Sequence, residues 1–200
     1  MRRPVRLHYW EADGDGETGL PVGPLLAELA SLAPGLEVVR EEDSPEGAGE
    51  PPPLGRPEIR LRRGAPGGGW IRFAGYPAGF VRLELVEALA ALASGEEEAG
   101  PGPGEAGAES RAPAERDGPG QEVRIWVSPT CSRCARTVRL ALGMVLALPG
   151  LSLAVIVATE FPEAARQEGI RTVPTLVAGG RRWLEPPPPR ELWEALVRPG

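Results

Sequence analysis

The chain has 200 residues, with 22 basic and 28 acidic side chains, a formal net charge of -6 and a pI near 5.1. This acidic balance gives no electrostatic attraction to nucleic acid or to an anionic membrane surface, so neither is expected as a partner. The N-terminus has no apolar stretch of the length that a secretory signal needs, and no run of about 18 apolar residues occurs, so a cytoplasmic protein is predicted.

The first part of the chain, residues 1–94, predicts a mixed α/β unit. Runs rich in β-branched and aromatic residues predict strands, whereas apolar residues spaced three and four apart predict helices. In chain order these are the strand "VRLHYW", the helix "PLLAELASLA", the strand "LEVVRE", the strands "EIRLRR" and "WIRFAG", and the helix "RLELVEALAALA".

Residues 95–120 read "GEEEAGPGPGEAGAESRAPAERDGPG" and include no large apolar residue. A segment of this composition cannot bury enough surface to offset the entropy of ordering, so a flexible linker is predicted. The alternative, a long ordered loop at an active site, is uncommon in compact domains. The predicted organisation is a unit at 1–94, a linker at 95–120 and a second unit at 121–200.

The second unit repeats the order of elements in the first. It contains the strand "EVRIWVS", the helix "CARTVRLALGMVLAL", the strand "LSLAVIVAT", the short helix "PEAARQEG", the strands "TVPTLVAG" and "RRWLE", and the helix "PRELWEALVR". Three short matches occur in the same order in both units: "VRLHYW" with "VRIWVS", "RPEIRL" with "VPTLVA", and "LVEAL" with "LWEAL". An internal repeat is therefore predicted, with α/β units that each have a central mixed sheet flanked by helices.

Both cysteines of the chain lie in "SPTCSRCARTV", where a strand gives way to a helix. Cys131 and Cys134 are therefore expected on one face at the helix start, within the separation that a disulfide spans. The unpaired N–H groups and positive dipole end of the helix favour a thiolate at Cys131, and Arg133 and Arg136 add positive charge. A CxxC pair next to a β-α-β pattern predicts redox chemistry.

Two other roles for the cysteine pair remain open at this stage. A zinc site would need ligands from elsewhere, but the chain has no third cysteine and His8 is its only histidine, so a metal would have to be shared between chains. The pair could also be inert. A permanent structural disulfide is not expected in a reducing cytosol. No metal site and no cofactor other than a redox-active disulfide is predicted.

"TVPTLV" places a proline at the start of a strand in the second unit. Because proline cannot donate a hydrogen bond to a sheet, Pro174 is expected to be either a cis-proline or the residue that enters the strand.

Taken together, these motifs carry a family resemblance. The order strand, "CSRC" helix, strand, helix, "TVPTLV", hairpin and helix resembles a thioredoxin fold. Its doubling is similar to the glutaredoxin-like protein disulfide oxidoreductases, which contain two thioredoxin-fold units. The stretches "WIRFAGYPAGFVRLELVEALAALASG", "VSPTCSRCARTV" and "EFPEAARQEGIRTVPTLV" carry this likeness. The chain also resembles the N-terminal tandem region of the alkyl hydroperoxide reductase flavoprotein, whose CxxC lies in the second unit.

The resemblance implies a thiol-disulfide oxidoreductase. Because residues 1–94 contain no cysteine, the first unit is expected to have no redox activity. Cys131 would be the nucleophile and Cys134 the resolving thiol, with protein disulfides or thiols as partners. Val173 and Pro174 would bind the substrate backbone. The motif-flanking residues are Pro129, Thr130, Ser132 and Arg133.

Two alternative functions accompany this reading. In the first, the protein carries electrons from a separate flavoprotein resembling thioredoxin reductase to a peroxiredoxin. In the second, it is a non-enzymatic adaptor that binds metal between chains through its cysteines.

Overall fold

A computed structural model of the chain describes residues 4–12, 20–42, 54–63, 69–95, 121–148 and 150–197. The first unit contains β1 (Val5–Trp10), α1 (Val22–Leu32), β2 (Leu36–Arg40), β3 (Glu58–Arg62), β4 (Trp70–Ala74) and α2 (Gly79–Ser94). The second contains β5 (Glu122–Val127), α3 (Ser132–Ala147), β6 (Ser152–Val157), α4 (Pro162–Gln167), β7 (Thr175–Ala178), β8 (Arg181–Trp183) and α5 (Pro189–Val197). The predicted linker, apart from Gly95, lies outside the described residues.

Two predicted boundaries differ from the structure by three residues, and the others differ by two at most. Helix α2 begins at Gly79 rather than at residue 82, because the N–H of Phe80 finds its partner in the second unit, the carbonyl of Pro129 at 2.9 Å. Strand β7 begins at Thr175 rather than at residue 172, directly after Pro174, whose missing N–H cannot join a strand ladder.

The strands form one eight-stranded mixed sheet in the order β2-β1-β3-β4-β6-β5-β7-β8. Within the first unit β1 is parallel to β2 and antiparallel to β3, which is antiparallel to β4. In the second unit β5, β6, β7 and β8 repeat these relations in the same order. The matching topology confirms the predicted internal repeat.

The two units share one sheet because β4 pairs in parallel with β6, from Ile71 opposite Leu153 to Ala74 opposite Ile156. The sequence predicts a sheet in each unit but not this junction. On one face, helices from both units cover a single apolar core that runs across the junction. Helix α3 packs against β5, β6 and α2, which explains its apolar character over most of its circumference.

The opposite face combines a small apolar cluster with buried charges. Ala74, Trp126, Ile156 and Ala165 form that cluster. Alongside it, Glu58 accepts a hydrogen bond from Arg60 Nε at 2.9 Å and lies 3.5 Å from Arg72 Nη1. Arg72 also donates to Glu122 at 2.7 Å, so charge pairing crosses the junction between the units.

Candidate redox site

The cysteine motif begins in the turn that joins β5 to α3. Cys131 is the N-cap of α3, and its N–H donates to the carbonyl of Ser128 at 3.1 Å. The N–H of Cys134 donates to Cys131 Sγ at 3.1 Å, which satisfies one of the free donors of the first helical turn. The sulfur of Cys131 therefore lies at the positive end of the helix, where a thiolate is favoured.

The two cysteines are joined in a disulfide, with their Cα atoms 5.2 Å apart. Their environments differ. Cys131 is half-buried, whereas Cys134 is only 2% exposed and belongs to the apolar core. An incoming thiol or disulfide therefore meets the sulfur of Cys131 first.

Val173 and Pro174 lie at the same edge of the sheet as the cysteine motif. Strand β5 runs antiparallel to β7 with Trp126 opposite Thr175, so the end of β5 that leads to Cys131 adjoins the start of β7. The Val173–Pro174 peptide bond is cis, which confirms one of the two forms predicted for this proline. In the first unit the equivalent Arg56–Pro57 bond, just before β3, is also cis.

The residues that flank the cysteines are mostly exposed. Thr130, Ser132 and Arg133 are exposed, and Arg133 Nη1 lies 3.5 Å from Glu185 in the segment between β8 and α5. Pro129 is half-buried, and its carbonyl accepts the hydrogen bond from Phe80. Three of the four predicted motif-flanking residues thus form the accessible surface around the disulfide.

The first unit forms one side of the site, an arrangement that is not predictable from the local sequence. A narrow cleft beside the disulfide is lined by Phe80, Val81 and Glu84 of α2 and by residues of the second unit: Val127, Ser128, Cys134, Ala135 and Val138. Helix α2 reaches the motif closely, because a Cβ added to Gly79 would lie 2.4 Å from the carbonyl oxygen of Pro129.

Glu84 is the one ionisable side chain of α2 in this cleft, and it is 1% exposed. Its Oε1 accepts a hydrogen bond at 2.9 Å from Nη2 of Arg139 on α3, while its Oε2 has no hydrogen-bond partner in the described structure. Burial, with a smaller contribution from Glu87, raises the pKa of Glu84 from 4.5 to about 7, and Arg139 opposes this rise. The sequence signal for Glu84 was an acid three residues after Val81 and four before Ala88, on the apolar face of a helix.

The chain is similar to known proteins in sequence and in structure. The thioredoxin domain family matches residues 121–183. The alkylhydroperoxide reductase protein AhpF from Enterococcus faecalis is similar over 98% of this chain and 91% of that chain, with a TM-score of 0.72 and 23% identity. Its NTD_N/C domain aligns over 98% of this chain and 92% of that chain, with a TM-score of 0.70 and 21% identity. A protein disulfide oxidoreductase from Aeropyrum pernix aligns over 98% of this chain and 86% of that chain, with a TM-score of 0.60 and 18% identity.

These likenesses define a thioredoxin-fold protein built from two tandem thioredoxin-like units. The similar structures include both kinds of protein that the sequence resembles, so the predicted fold is confirmed. More particularly, it is a thioredoxin-fold protein whose CxxC disulfide, Cys131–Cys134, lies in the second unit.

A search of the curated proteins found no match to this sequence. Within the described residues, no group of three or more His, Cys, Asp or Glu side chains could hold a metal ion. None of the helices in the described part of the chain has the length and apolar character needed to cross a membrane.

Proposed function

We propose that the protein is a thiol-disulfide oxidoreductase that exchanges disulfides with protein substrates in the cytoplasm. The observation that carries the proposal is the asymmetry of the disulfide: Cys131 is half-buried at a helix N-terminus, and Cys134 is 2% exposed. Thiol-disulfide exchange requires an accessible thiolate and a second thiol that reacts only within the protein.

In the reduced protein, the thiolate of Cys131 attacks one sulfur of a substrate disulfide. A mixed disulfide forms, and the other substrate sulfur leaves with the electron pair. Cys134 then attacks Cys131 Sγ, which releases the second substrate sulfur and forms the Cys131–Cys134 disulfide. The substrate gains two electrons and two protons, and oxidation of a substrate dithiol follows the same steps in reverse.

Val173 and Pro174 would bind the substrate backbone beside the sulfurs. The pairing of β5 with β7 supports this role, because it brings the start of β7 and the cysteine motif to one edge of the sheet. Thr130, Ser132 and Arg133 would supply side chains around the same opening, because all three are exposed.

Serine variants of the full chain test the proposal, each serving as the control for the other. Cys131→Ser removes the attacking thiolate and is expected to abolish exchange with insulin and with glutathione disulfide. Cys134→Ser leaves the first attack possible but not its resolution, so a mixed disulfide at Cys131 should accumulate. Unchanged exchange in both variants, or equal alkylation of both thiols by iodoacetamide, would contradict the proposal and favour the metal-linked adaptor.

A second candidate uses the same chemistry with different partners. The likeness to an alkylhydroperoxide reductase protein over 98% of this chain favours electron transfer from a separate flavoprotein to a peroxiredoxin. An assay that couples a nicotinamide-dependent flavin reductase, this protein, a peroxiredoxin and peroxide tests it. Peroxide consumption that depends on Cys131 would support this role. If no peroxiredoxin partner gives peroxide consumption, general protein disulfides remain the proposed substrates.

A further inference from the structure

Helix α2 carries a row of exposed apolar side chains that starts beside the disulfide. In the described part of the chain, six large hydrophobic side chains are exposed, and three of them are on α2. Phe80, Leu83 and Val86 are three residues apart, so they form one row along the exposed side of the helix. Phe80 also lines the cleft that reaches Cys134. The apolar row is therefore continuous with the redox site.

Helices α2 and α3 run side by side in the same direction. Their first turns meet, since the start of α2 donates a hydrogen bond to the carbonyl of Pro129, just before α3. About two turns further along, Arg139 Nε of α3 donates to Glu87 of α2 at 2.9 Å. Side chains in the turn between these two contacts, Leu83 on α2 and Arg136 on α3, therefore lie on the same stretch of surface.

Helix α3 adds a row of exposed arginines to this stretch: Arg133, Arg136 and Arg139 are three residues apart. The outer two have acidic partners, Glu185 at 3.5 Å and Glu87 at 2.9 Å. Within the described residues, the Arg136 guanidinium has no ion pair or hydrogen bond. The two rows together form the α2–α3 surface, which consists of Phe80, Leu83, Val86, Arg133, Arg136 and Arg139.

No other part of these 200 residues can cover the apolar row. The segments outside the described residues contain Met1 and otherwise no large apolar residue. A second copy that presented the same face would offer Glu87 and Glu185, which already pair with arginines. Arg136 would then stay without an acidic partner. The surface therefore fits a different molecule, one that supplies apolar and acidic side chains together.

We propose that the α2–α3 surface binds a segment of the substrate protein that carries apolar and acidic side chains next to its reactive cysteine. This inference rests on the proposed disulfide exchange and names a class of substrate for it. Apolar side chains of the segment would bury against Phe80, Leu83 and Val86, and a carboxylate would pair with Arg136. Because the chain has a net charge of -6, this basic row also directs an acidic segment to the side of the molecule where Cys131 is accessible.

Three looped peptide disulfides that differ only in a six-residue tail test the surface in the reduced full chain. One tail combines leucine with glutamate, the second leucine with lysine, and the third serine with glutamate. Each second-order rate constant is divided by that for bis(2-hydroxyethyl) disulfide, an uncharged substrate without a tail, so that effects on the reactivity of Cys131 cancel. The leucine-glutamate peptide should react about 10-fold faster than either of the others.

Two variants remove the two parts of the surface separately. Arg136→Glu should remove or reverse the preference for glutamate over lysine, whereas Leu83→Ser should remove the preference for leucine over serine. Both side chains are exposed, so these substitutions leave the core intact. The matched controls are Arg40→Glu on the edge strand β2 and Leu32→Ser at the end of α1, both at exposed positions, and both should keep the wild-type preferences.

The uncharged substrate also distinguishes failure of this inference from failure of the proposed function. Equal ratios for the three peptides in the wild type, or a preference that survives its own substitution, would overturn docking on the α2–α3 surface alone. A dimer in sedimentation velocity that Leu83→Ser dissociates would show that a second copy covers the apolar row, which would also overturn it. Absence of reaction with bis(2-hydroxyethyl) disulfide and with every peptide would overturn the proposed exchange itself.

Discussion

Glu84 and Glu58 are both almost completely buried, yet their surroundings are very different. Glu58 accepts hydrogen bonds from Arg60 and from the N–H of Leu54, and Arg72 lies 3.5 Å away. Glu84 has Arg139 as its hydrogen-bonding partner through one oxygen only. The charge of Glu58 is therefore well compensated, whereas burial of Glu84 is compensated only in part, and its pKa rises to about 7.

This raised pKa predicts a pH-dependent stability. The folded protein holds the Glu84 proton more tightly than the unfolded chain, so the resulting stabilisation is present below the unfolded value of 4.5 and is lost as pH rises through about 7. Glu84→Gln cannot ionise, so its stability relative to the wild type should increase from pH 5 to pH 8, by at most about 3 kcal/mol.

Urea unfolding of both reduced proteins at several pH values measures this difference. Glu37→Gln is the control, because it makes the same substitution at a side chain that is 57% exposed. A difference between Glu84→Gln and the wild type that stays constant from pH 5 to pH 8 would show that Glu84 does not titrate in this range.

At the scale of elements, the start of α2 determines how closely the first unit approaches the cysteine motif. Gly79 has φ +53°, and an added Cβ would lie 2.4 Å from the carbonyl oxygen of Pro129. The next residue, Phe80, donates its N–H to that same oxygen. A residue with a side chain at position 79 would have to push α2 away from the turn that leads to Cys131.

Gly79→Ala should therefore destabilise the protein more than a matched glycine variant. Gly150 has φ +74° and no atom within 4 Å of an added Cβ, so Gly150→Ala incurs only the penalty of the left-handed backbone, about 1 kcal/mol. We expect Gly79→Ala to lose roughly 2 kcal/mol more in urea unfolding because of the contact. Equal losses in the two variants would show that α2 does not need this close approach.

The sequence predicted every helix and strand of the described structure, most of them from an apolar pattern within the element. It did not predict the pairing of β4 with β6, since that contact depends on how the two units dock. The burial of Glu84 was not predicted for the same reason. Helix α3 of the second unit covers a face of α2, and the sequence of the first unit alone does not distinguish that face from an exposed one. The cysteines, in contrast, were identified from local spacing alone.

At the scale of the whole molecule, several contacts besides the sheet join the two units. Arg63, which follows β3, donates to the carbonyls of Leu146 and Leu151 at 3.1 Å and of Leu148 at 3.3 Å, near the end of α3. Of these, the carbonyls of Leu146 and Leu148 lie at the C-terminus of α3, where the last carbonyls of a helix have no partner within it. The N–H of Tyr76 also donates to Glu160 at 2.9 Å.

These contacts predict that the linker is not needed to hold the units together. The composition of residues 95–120 predicts that trypsin cuts there first, at Arg111 or Arg116. After cutting, the two fragments should still elute together in size-exclusion chromatography and keep their disulfide exchange activity. Cleavage within a unit before the linker would refute the predicted boundary, and separation of the fragments would refute the shared core.

The central claim is that Cys131 and Cys134 exchange two electrons with a substrate disulfide. The most direct test mixes the reduced protein with a peptide disulfide, and separately the oxidised protein with the reduced dithiol peptide, followed by acid quenching, alkylation and mass spectrometry. The account predicts that both mixtures reach the same equilibrium, with one Cys131–Cys134 disulfide gained for each peptide disulfide lost. Mixtures in which the redox state of the two cysteines does not change from either starting point would contradict it.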